Sequence, residues 1–303
     1  MKLSRYHLAA FAAFLIWGFF PLPLRTLTAY PSTQILFFRV LLSLVLLLAI
    51  NLIARRAAVR TVWQQWQAAN PQERRRVAFS TGGGGILLMS NWLLFIYVMN
   101  QISVQAASFA YLICPILTAL LGFGLLGERL RPNQWLAIGL SALSCMLLGT
   151  GAVRSVLMSL LVAFTYAFYL ISQRRLQGYD RLVLLTVQLL LAACIILPMA
   201  PLLGANPSAG FADTHLVLMA IILSSSFTVL PLFLNLYALN VLPSGTVGIM
   251  MYVNPLLSFG LAFWYYGEQA TLLEAGAYGV ILLSVVLYNV KLNLGQRPAA
   301  EVV

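Results

Sequence analysis

Long apolar stretches recur along the whole chain, separated by short segments that contain Pro, Gly, Asn and charged residues. A helix needs about 20 apolar residues to cross the hydrocarbon core of a bilayer. Stretches such as residues 41–50 lack the period-two alternation that the strands of a membrane barrel require. The pattern therefore predicts an all-α membrane protein. It predicts ten spanning helices, at residues 7–28, 33–54, 77–99, 104–126, 134–151, 155–173, 182–204, 215–239, 244–266 and 274–290.

Composition narrows the class of protein further. Of the 303 residues, 61% are hydrophobic and 8% are charged, and this excludes an ordinary soluble domain. In a soluble chain the net charge of +11 would indicate a nucleic acid partner, but in a membrane protein its placement matters more, and we expect no nucleic acid partner. The three cysteines lie in apolar runs without metal-ligand spacing, so we expect no metal ion and no other cofactor.

Basic residues are distributed unevenly between the segments that connect the spans. Counted with both termini inside, the inner segments hold fifteen of the 18 Lys and Arg residues, and the outer segments hold only Arg154. Basic loops resist translocation, so we predict that both termini are cytoplasmic. The other two, Arg25 and Arg39, lie within spans. A charge there is costly and indicates a function, although arginine also snorkels to the membrane surface.

The longest inner loop, residues 55–76, combines arginine clusters with Trp63 and Trp66. Indole rings and guanidinium groups both favour the membrane interface. We interpret this loop as a helical segment that lies on the membrane surface and anchors the bundle. The alternative is a regulatory site for a lipid or a partner.

The chain resembles itself at an offset of 140 residues. Residues 94–128 align with residues 234–268 without a gap, and the identical positions include Asn, Tyr and Pro residues and a Gly-Glu pair. We infer a duplication, with five-helix repeats at 1–151 and 152–292 and a cytoplasmic tail at 293–303. Because five is an odd number, the second repeat enters the membrane with the opposite polarity.

Charges in the loops agree with this inversion. The loop GERLRPN after the fourth helix is basic, whereas its counterpart GEQATLL after the ninth contains no Lys or Arg. Inverted repeats recur in secondary transporters, because two related halves can rock about a site at the midplane. A duplicated scaffold without transport is the alternative. Glu128 and Glu268, which follow Gly at helix ends, are predicted to cap or pack rather than to contact substrate.

Polar and aromatic residues at the span centres fall on helices 1, 3 and 4 and on the corresponding helices 6, 8 and 9. Unsatisfied polar groups are costly in hydrocarbon, so we predict a central cavity lined by both repeats. The predicted roles are stacking walls for Trp17, Tyr111, Tyr166 and Tyr252, hydrogen bonding for Asn91 and Thr228, and pairing with a substrate carboxylate for Arg39. Asn91 is equally compatible with packing between helices. No Asp or Glu lies at a span centre to indicate a proton relay.

Several segments together resemble one known family. They are LIWGFFP with Arg25 after it, FFRV around Arg39, GGILLMSNWLLFIYVMN, YLICP, GERLRPNQW, AFYL around Tyr169, TVLPL, YVNP and YYGE. They are similar to the EamA-type, RarD-like permeases of the drug/metabolite transporter superfamily. The resemblance implies ten helices in two inverted repeats, a cavity between them that includes Tyr169, and a bacterial inner membrane location. Phe38 departs from the family pattern, in which a His often precedes the arginine, and this argues against a titratable role there.

We therefore predict a carrier, not an enzyme, that moves a small amino-acid-like or drug-like metabolite, outward as the resemblance implies, by alternating access. Its expected partners are this small-molecule substrate and membrane lipid, and a monomer is compatible with the sequence. One alternative is an intramembrane enzyme or flippase that acts on a lipid-linked substrate, although the clustered carboxylates, His or metal motif of such an enzyme are not seen. The other is a channel-like facilitator, for which a continuous ring of like groups is expected.

Overall fold

The computed structural model describes residues 4–127, 130–149, 153–239, 241, 250–269 and 271–289, and these residues are all-helical, without a strand. The helices are α1 (Arg5–Gly18), α2 (Pro21–Arg25), α3 (Ser32–Ala49), α4 (Arg56–Ala68), α5 (Pro71–Gln101), α6 (Val104–Leu126), α7 (Pro132–Gly149), α8 (Val153–Arg174), α9 (Arg181–Met199), α10 (Pro207–Ala212), α11 (Thr214–Ser224), α12 (Leu230–Leu239), α13 (Val253–Trp264) and α14 (Leu272–Asn289). Short π-helical segments follow α3 (Ile50–Ala54) and join α11 to α12 (Ser225–Val229), and a 3-10 turn (Pro201–Leu203) follows α9.

The prediction of an all-α membrane protein is confirmed. In the part of the chain that the structure describes, seven helical segments are long and apolar enough to cross a membrane. They are Arg5–Arg25, Ser32–Ala54, Pro71–Gln101, Val104–Leu125, Val153–Arg174, Arg181–Met199 and Thr214–Asn235. The total of ten spans stays a prediction. Glu128, the start of the ninth predicted span at 244–249 and the predicted tail at 293–303 lie outside the described residues.

Local sequence explains where several helices begin. Asn70, Ser103 and Asp180 accept hydrogen bonds from backbone N–H groups in the first turns of α5, α6 and α9, which would otherwise be unpaired. The first predicted span is interrupted after α1, and Pro21 occupies the first turn of α2, where a missing N–H costs nothing. Gly127 ends α6 at a φ of 68°, a left-handed conformation that glycine adopts without strain.

Helices α7 and α14 run antiparallel. Asn133 near the start of α7 donates to the carbonyl of Leu287 near the end of α14, and Ser144 near the end of α7 donates to the carbonyl of Ala277 near the start of α14. As residue numbers increase along α7, the residues that they contact on α14 have decreasing numbers.

The same direction reversal relates α3 to α9. Thr33 in the first turn of α3 donates to the carbonyl of Leu203, which follows α9. At the opposite end, the Asn51 side chain donates to the Thr186 hydroxyl at 2.7 Å, near the start of α9. Both helix pairs therefore join one predicted repeat to the other with opposite chain directions.

The remaining contacts follow a matching pattern. Helix α1 packs against α12 and α13, as α8 packs against α5 and α6, and α11 packs against α3, as α5 packs against α9. Exchange of the first five predicted spans with the last five leaves these pairs of neighbours unchanged. A large buried core at the meeting of α3, α5, α6, α8, α9 and α11 surrounds the centre of the bundle.

Gly85 of α5 lies close to the backbone of α9. A Cβ atom on Gly85 would lie 2.9 Å from the carbonyl oxygen of Gln188. Small residues at such crossings allow two backbones to approach without intervening side chains.

Candidate functional site

A cavity of about 80 Å³ lies at the centre of the bundle. It is lined by residues of both predicted repeats. The aromatic lining residues are Phe14, Trp17, Phe20, Trp92, Phe95, Tyr111, Tyr166 and Tyr169, the polar ones are Arg39, Thr228 and Asn254, and the aliphatic ones are Leu88, Leu185, Leu232 and Met251. Ligand pockets usually measure about 300–1,000 Å³, so this conformation encloses a small space.

Arg39 supplies a positive charge to the cavity wall. The residue is only 5% exposed, and its Nε donates to the Thr228 hydroxyl oxygen at 3.1 Å. Its guanidinium carbon lies 4.0 Å from the ring centroid of Trp92 and 4.9 Å from that of Phe20. Desolvated cation–π contacts contribute about 2 kcal/mol each, which offsets part of the cost of burying the charge.

No acidic partner neutralises this arginine within the described residues. Their ion pairs involve Arg25, Arg55 and Arg76, and no carboxylate oxygen of the described chain lies within 4.0 Å of the Arg39 guanidinium nitrogens. Its two terminal nitrogens also have no hydrogen-bond acceptor in that part of the chain. The cavity therefore presents an uncompensated cation with two unused donor groups.

The backbone around Thr228 explains its position. Thr228 lies in the π-helical segment Ser225–Val229, and its hydroxyl donates to the carbonyl of Leu223 at 2.9 Å while it accepts from Arg39. Extra residues in a π-turn displace a side chain relative to a regular helix, and such turns occur frequently at functional sites.

Pro231 accounts for a second polar contact at the cavity. Proline has no N–H, so it cannot donate to the carbonyl of Phe227 four residues earlier. That carbonyl accepts instead from the indole N–H of Trp17 at 3.0 Å. A proline in the second predicted repeat therefore positions an aromatic wall of the first.

Three tyrosines form another part of the cavity wall. The Tyr111 and Tyr166 rings meet edge to face with their centroids 5.6 Å apart, and Tyr166 stacks on Tyr169 with their centroids 5.8 Å apart. Phe95 contacts Tyr111 at 5.1 Å. Across the described chain none of the three tyrosine hydroxyls has a hydrogen-bond partner, so all three are available to a ligand.

Six of the eight residues predicted for the site line this cavity. They are Trp17, Arg39, Tyr111, Tyr166, Tyr169 and Thr228. The other two lie elsewhere. Asn91 donates to the carbonyl of Val162 at 2.9 Å and to the Thr165 hydroxyl at 3.3 Å, which joins α5 to α8. Tyr252 is buried in a separate cluster that contains Phe109 and Tyr278.

The phenylalanines of the lining were not predicted from the sequence, and Trp92 was assigned no role. Phe14, Phe20 and Phe95 carry no polar atom that would distinguish them from ordinary core residues. Trp92 follows Asn91 directly, and adjacent residues on a helix point about 100° apart. Only one of the two therefore faces the cavity, and it is Trp92.

A polar cluster closes the bundle where α6 begins. The Glu268 carboxylate accepts hydrogen bonds from the backbone N–H groups of Val104 at 2.8 Å and Gln105 at 2.9 Å. Arg25 donates to the carbonyl of Met99 and lies 3.9 Å from Glu268. Glu268 thus caps a helix of the other repeat, and Arg25 is held outside the cavity.

Metal-ligating side chains do not cluster in the described ranges. Within them, no group of three or more His, Cys, Asp or Glu residues has an arrangement that could hold a metal ion.

Comparisons with known proteins agree with this architecture. The family model of the EamA-like transporter family matches residues 4–150 and again residues 153–290. Protein RarD of Streptomyces exfoliatus is 33% identical over 266 residues, which cover 86% of this chain and 80% of that protein. Protein RarD of Escherichia coli (strain K12) is 29% identical over 303 residues, 97% of each chain. An uncharacterized transporter of Vibrio cholerae is 31% identical over 93% of this chain and 91% of its own length.

A solved crystal structure of a protein shares the fold. It superimposes with a TM-score of 0.60 over 94% of this chain and 97% of its own, at 19% identity. The double match of the family model, the RarD relatives and the apolar helices lead to one assignment. The chain belongs to the EamA-like transporter family, and within the drug/metabolite transporter superfamily it is a RarD-like permease.

Proposed function

We propose that this membrane transporter is a carrier that moves a small organic metabolite bearing a carboxylate across the bacterial inner membrane by alternating access. The observation that carries the proposal is Arg39, a buried cation in the wall of a central cavity with no acidic partner among the described residues. An anionic substrate would supply the missing partner.

The cavity chemistry favours a carboxylate that carries an apolar or aromatic part. Arginine presents parallel N–H groups that match a carboxylate in a bidentate pair. Thr228 positions the guanidinium, the tyrosine hydroxyls provide further hydrogen bonds, and Trp17 and Tyr166 provide faces for stacking. Amino-acid-like and small drug-like acids have this combination of groups.

Two inverted five-helix repeats, at 1–151 and 152–292 with a tail at 293–303, are part of the proposal. Three observations support it. The family model matches twice, α3 with α9 and α7 with α14 are antiparallel, and the two predicted repeats have matching sets of helix neighbours. Related halves of opposite orientation have two equivalent ways to close, which is the basis of alternating access.

Cavity size and charge placement support the remaining details. A space of about 80 Å³ is far below the usual volume of a ligand pocket, so substrate entry requires the halves to separate. The excess of arginine in the segments assigned to one side supports cytoplasmic termini. We propose outward net movement because the chain belongs to the drug/metabolite transporter superfamily.

Counterflow in proteoliposomes tests the proposal. The full-length protein is reconstituted, and a panel of radiolabelled carboxylate metabolites is compared with matched uncharged amides. We expect saturable counterflow of at least one carboxylate. Arg39→Gln should weaken its half-saturation at least tenfold, Arg39→Lys should weaken it less, and Arg131→Gln, at an exposed arginine, should leave it unchanged.

Three outcomes contradict the proposal in different ways. Equal transport of acids and amides, or unchanged half-saturation in Arg39→Gln, would mean that Arg39 does not pair with a substrate carboxylate. Flux that rises linearly with concentration and shows no counterflow indicates a channel. Chemical change in the recovered substrate indicates an enzyme.

A further inference from the structure

A second, larger groove lies between the amphipathic helix α4 and the bundle. Its volume is about 410 Å³, within the range of about 300–1,000 Å³ that is usual for ligand pockets. Its walls are nearly all carbon and come from α4, α5 and α9, with Tyr179 from the loop before α9. No residue that lines this groove also lines the central cavity.

The groove runs along the membrane-spanning part of α9. Val183, Val187 and Leu191 line it at every fourth residue, which places them in one stripe on the helix. At a rise of about 1.5 Å per residue this stripe is about 12 Å long, close to the roughly 15 Å depth of one hydrocarbon leaflet. The length and the apolar walls fit one acyl chain.

Arginines lie close in sequence to the groove-lining residues of α4 and α5. Residues 55–76 contain six arginines and one glutamate. Arg60 is exposed and follows Val59 in the α4 wall. Arg74 lies one turn before Val77 and Ala78 on the same face of α5. Its Nε donates to the carbonyl of Trp66 at 3.0 Å and its Nη2 to the carbonyl of Gln67, so Nη1 is the nitrogen that faces a ligand. Each base near a membrane surface attracts an anionic headgroup by about 1 kcal/mol.

One polar group interrupts the apolar wall. Thr81 lines the groove, is 5% exposed, and its hydroxyl has no hydrogen-bond partner in the described ranges. A buried hydroxyl without a partner is unfavourable, so an acceptor from a bound molecule would stabilise it. The ester carbonyl of a phospholipid joins headgroup and acyl chain, and Thr81 follows Arg74 by two turns of α5 and lines the groove together with the stripe on α9.

We propose that this groove binds one anionic phospholipid. Its acyl chain lies along α9, an ester carbonyl accepts from Thr81, and its phosphate lies between Arg60 and Arg74. This site is independent of the substrate cavity, so the inference does not rest on the proposed transport reaction.

Thermal unfolding of the purified full-length protein tests this site. Phosphatidylglycerol and phosphatidylcholine with identical acyl chains are titrated into detergent-solubilised protein, because a ligand that binds only the folded form raises its unfolding midpoint. We expect a saturable rise with phosphatidylglycerol and little change with phosphatidylcholine. Ala78→Trp, which fills the groove, should abolish the rise. Phe79→Trp is the matched control, because Phe79 is 75% exposed on the same helix and does not line the groove.

A charge variant tests the site without altering the groove. Arg60→Gln should weaken the apparent affinity for phosphatidylglycerol about fivefold, the equivalent of about 1 kcal/mol, and Arg131→Gln should not change it. This comparison decides the matter if Ala78→Trp fails to fold. Equal stabilisation by the two lipids, an equal response of the two tryptophan variants, or an unchanged affinity in Arg60→Gln would overturn the proposal.

Discussion

Arg39 is accommodated in the core by two aromatic faces and one hydroxyl rather than by an acid. A permanent ion pair would neutralise the site and compete with an anionic substrate. Aromatic rings stabilise the guanidinium without accepting hydrogen bonds from it, which leaves its terminal nitrogens open. The arrangement therefore lowers the cost of burying the charge and leaves it available for a ligand.

A substitution of Asn91 tests whether this residue packs helices together or binds substrate. We predict that Asn91→Ala lowers stability by about 0.6–2 kcal/mol, because it removes the hydrogen bonds from α5 to α8. It should leave half-saturation unchanged for the substrate with the strongest counterflow. Unfolding midpoints and proteoliposome kinetics measure the two effects.

Thr228→Val is the matched control for this prediction. It removes the hydroxyl that accepts from Arg39 inside the cavity and preserves the side-chain shape. We expect it to weaken half-saturation. Weaker substrate binding in Asn91→Ala than in Thr228→Val would mean that Asn91 belongs to the binding site.

At the scale of the helices, the capping of α6 by Glu268 links the two predicted repeats. A carboxylate at a helix N-terminus interacts favourably with the helix dipole, by about 0.3–1 kcal/mol at exposed sites and up to about 2 kcal/mol when partly buried. We predict that Glu268→Gln lowers stability by about 1 kcal/mol, because the amide carries no charge and has only one acceptor oxygen. Unfolding midpoints in detergent measure the loss.

Glu73→Gln provides the control. Glu73 also lies in the first turn of a helix, but the ion pair that it makes within the described chain, with Arg76, is local and exposed. Its substitution should change stability by less than about 0.5 kcal/mol. Equal losses in the two variants would mean that the contact between repeats adds nothing to ordinary helix capping.

A second tether between elements is sensitive to pH. The Tyr30 hydroxyl, before α3, donates to the Asp213 carboxylate, before α11, at 2.6 Å. This hydrogen bond and one from the backbone N–H of Leu216 hold the pKa of Asp213 below its ordinary value. The bond to Asp213 and desolvation raise the pKa of Tyr30. This hydrogen bond thus favours the charged form of Asp213 and the neutral form of Tyr30.

The sign of the pH dependence follows from these shifts. A lowered carboxyl pKa stabilises the fold above its unfolded value of about 3.9 and loses this effect as the pH falls through the folded pKa. A raised phenol pKa stabilises below about 10 and loses this effect as the pH rises further. His215 stacks on Tyr30 and also acts on Asp213, so both proteins of the comparison carry His215→Asn. We then predict that the difference in unfolding midpoint between the protein with Tyr30 and its Tyr30→Phe variant is constant from about pH 5 to 9 and shrinks outside that range. A difference that does not vary with pH would contradict the ionic character of the tether.

The sequence was informative about elements and less so about their faces. The helical character of the chain was predictable because uninterrupted apolar runs admit few other structures in a membrane. Which side of a span faces the cavity was not, because a helix that is apolar on every side has no amphipathic stripe. Asn91 and Trp92 illustrate this, since their order along α5 does not reveal which one points inward. The π-turn around Thr228 has no sequence signature that we recognised.

At the scale of the whole molecule, the contacts in the cavity cross between the predicted repeats. Arg39 of the first bonds Thr228 of the second, Trp17 bonds the carbonyl of Phe227, and Tyr111 meets Tyr166. Relative movement of the repeats must therefore change these contacts together. In the proposed mechanism, substrate binding and movement of the halves would therefore be coupled, because the same side chains serve as lining and as interface.

An inverted arrangement also makes a prediction about the loops. The segment after the second predicted span, residues 55–76, corresponds to residues 205–214 after the seventh. Five predicted spans lie between the two copies of this loop, and because five is an odd number the two copies must lie on opposite sides of the membrane. We predict that, in a variant whose three native cysteines are replaced, Ala209→Cys reacts with a membrane-impermeant maleimide in intact spheroplasts. Ala57→Cys should react only after permeabilisation. Both positions are exposed, so burial does not explain a difference. Labelling of both from the same side would mean that the repeats are not inverted, and alternating access by exchange of two equivalent halves would then lose its structural basis.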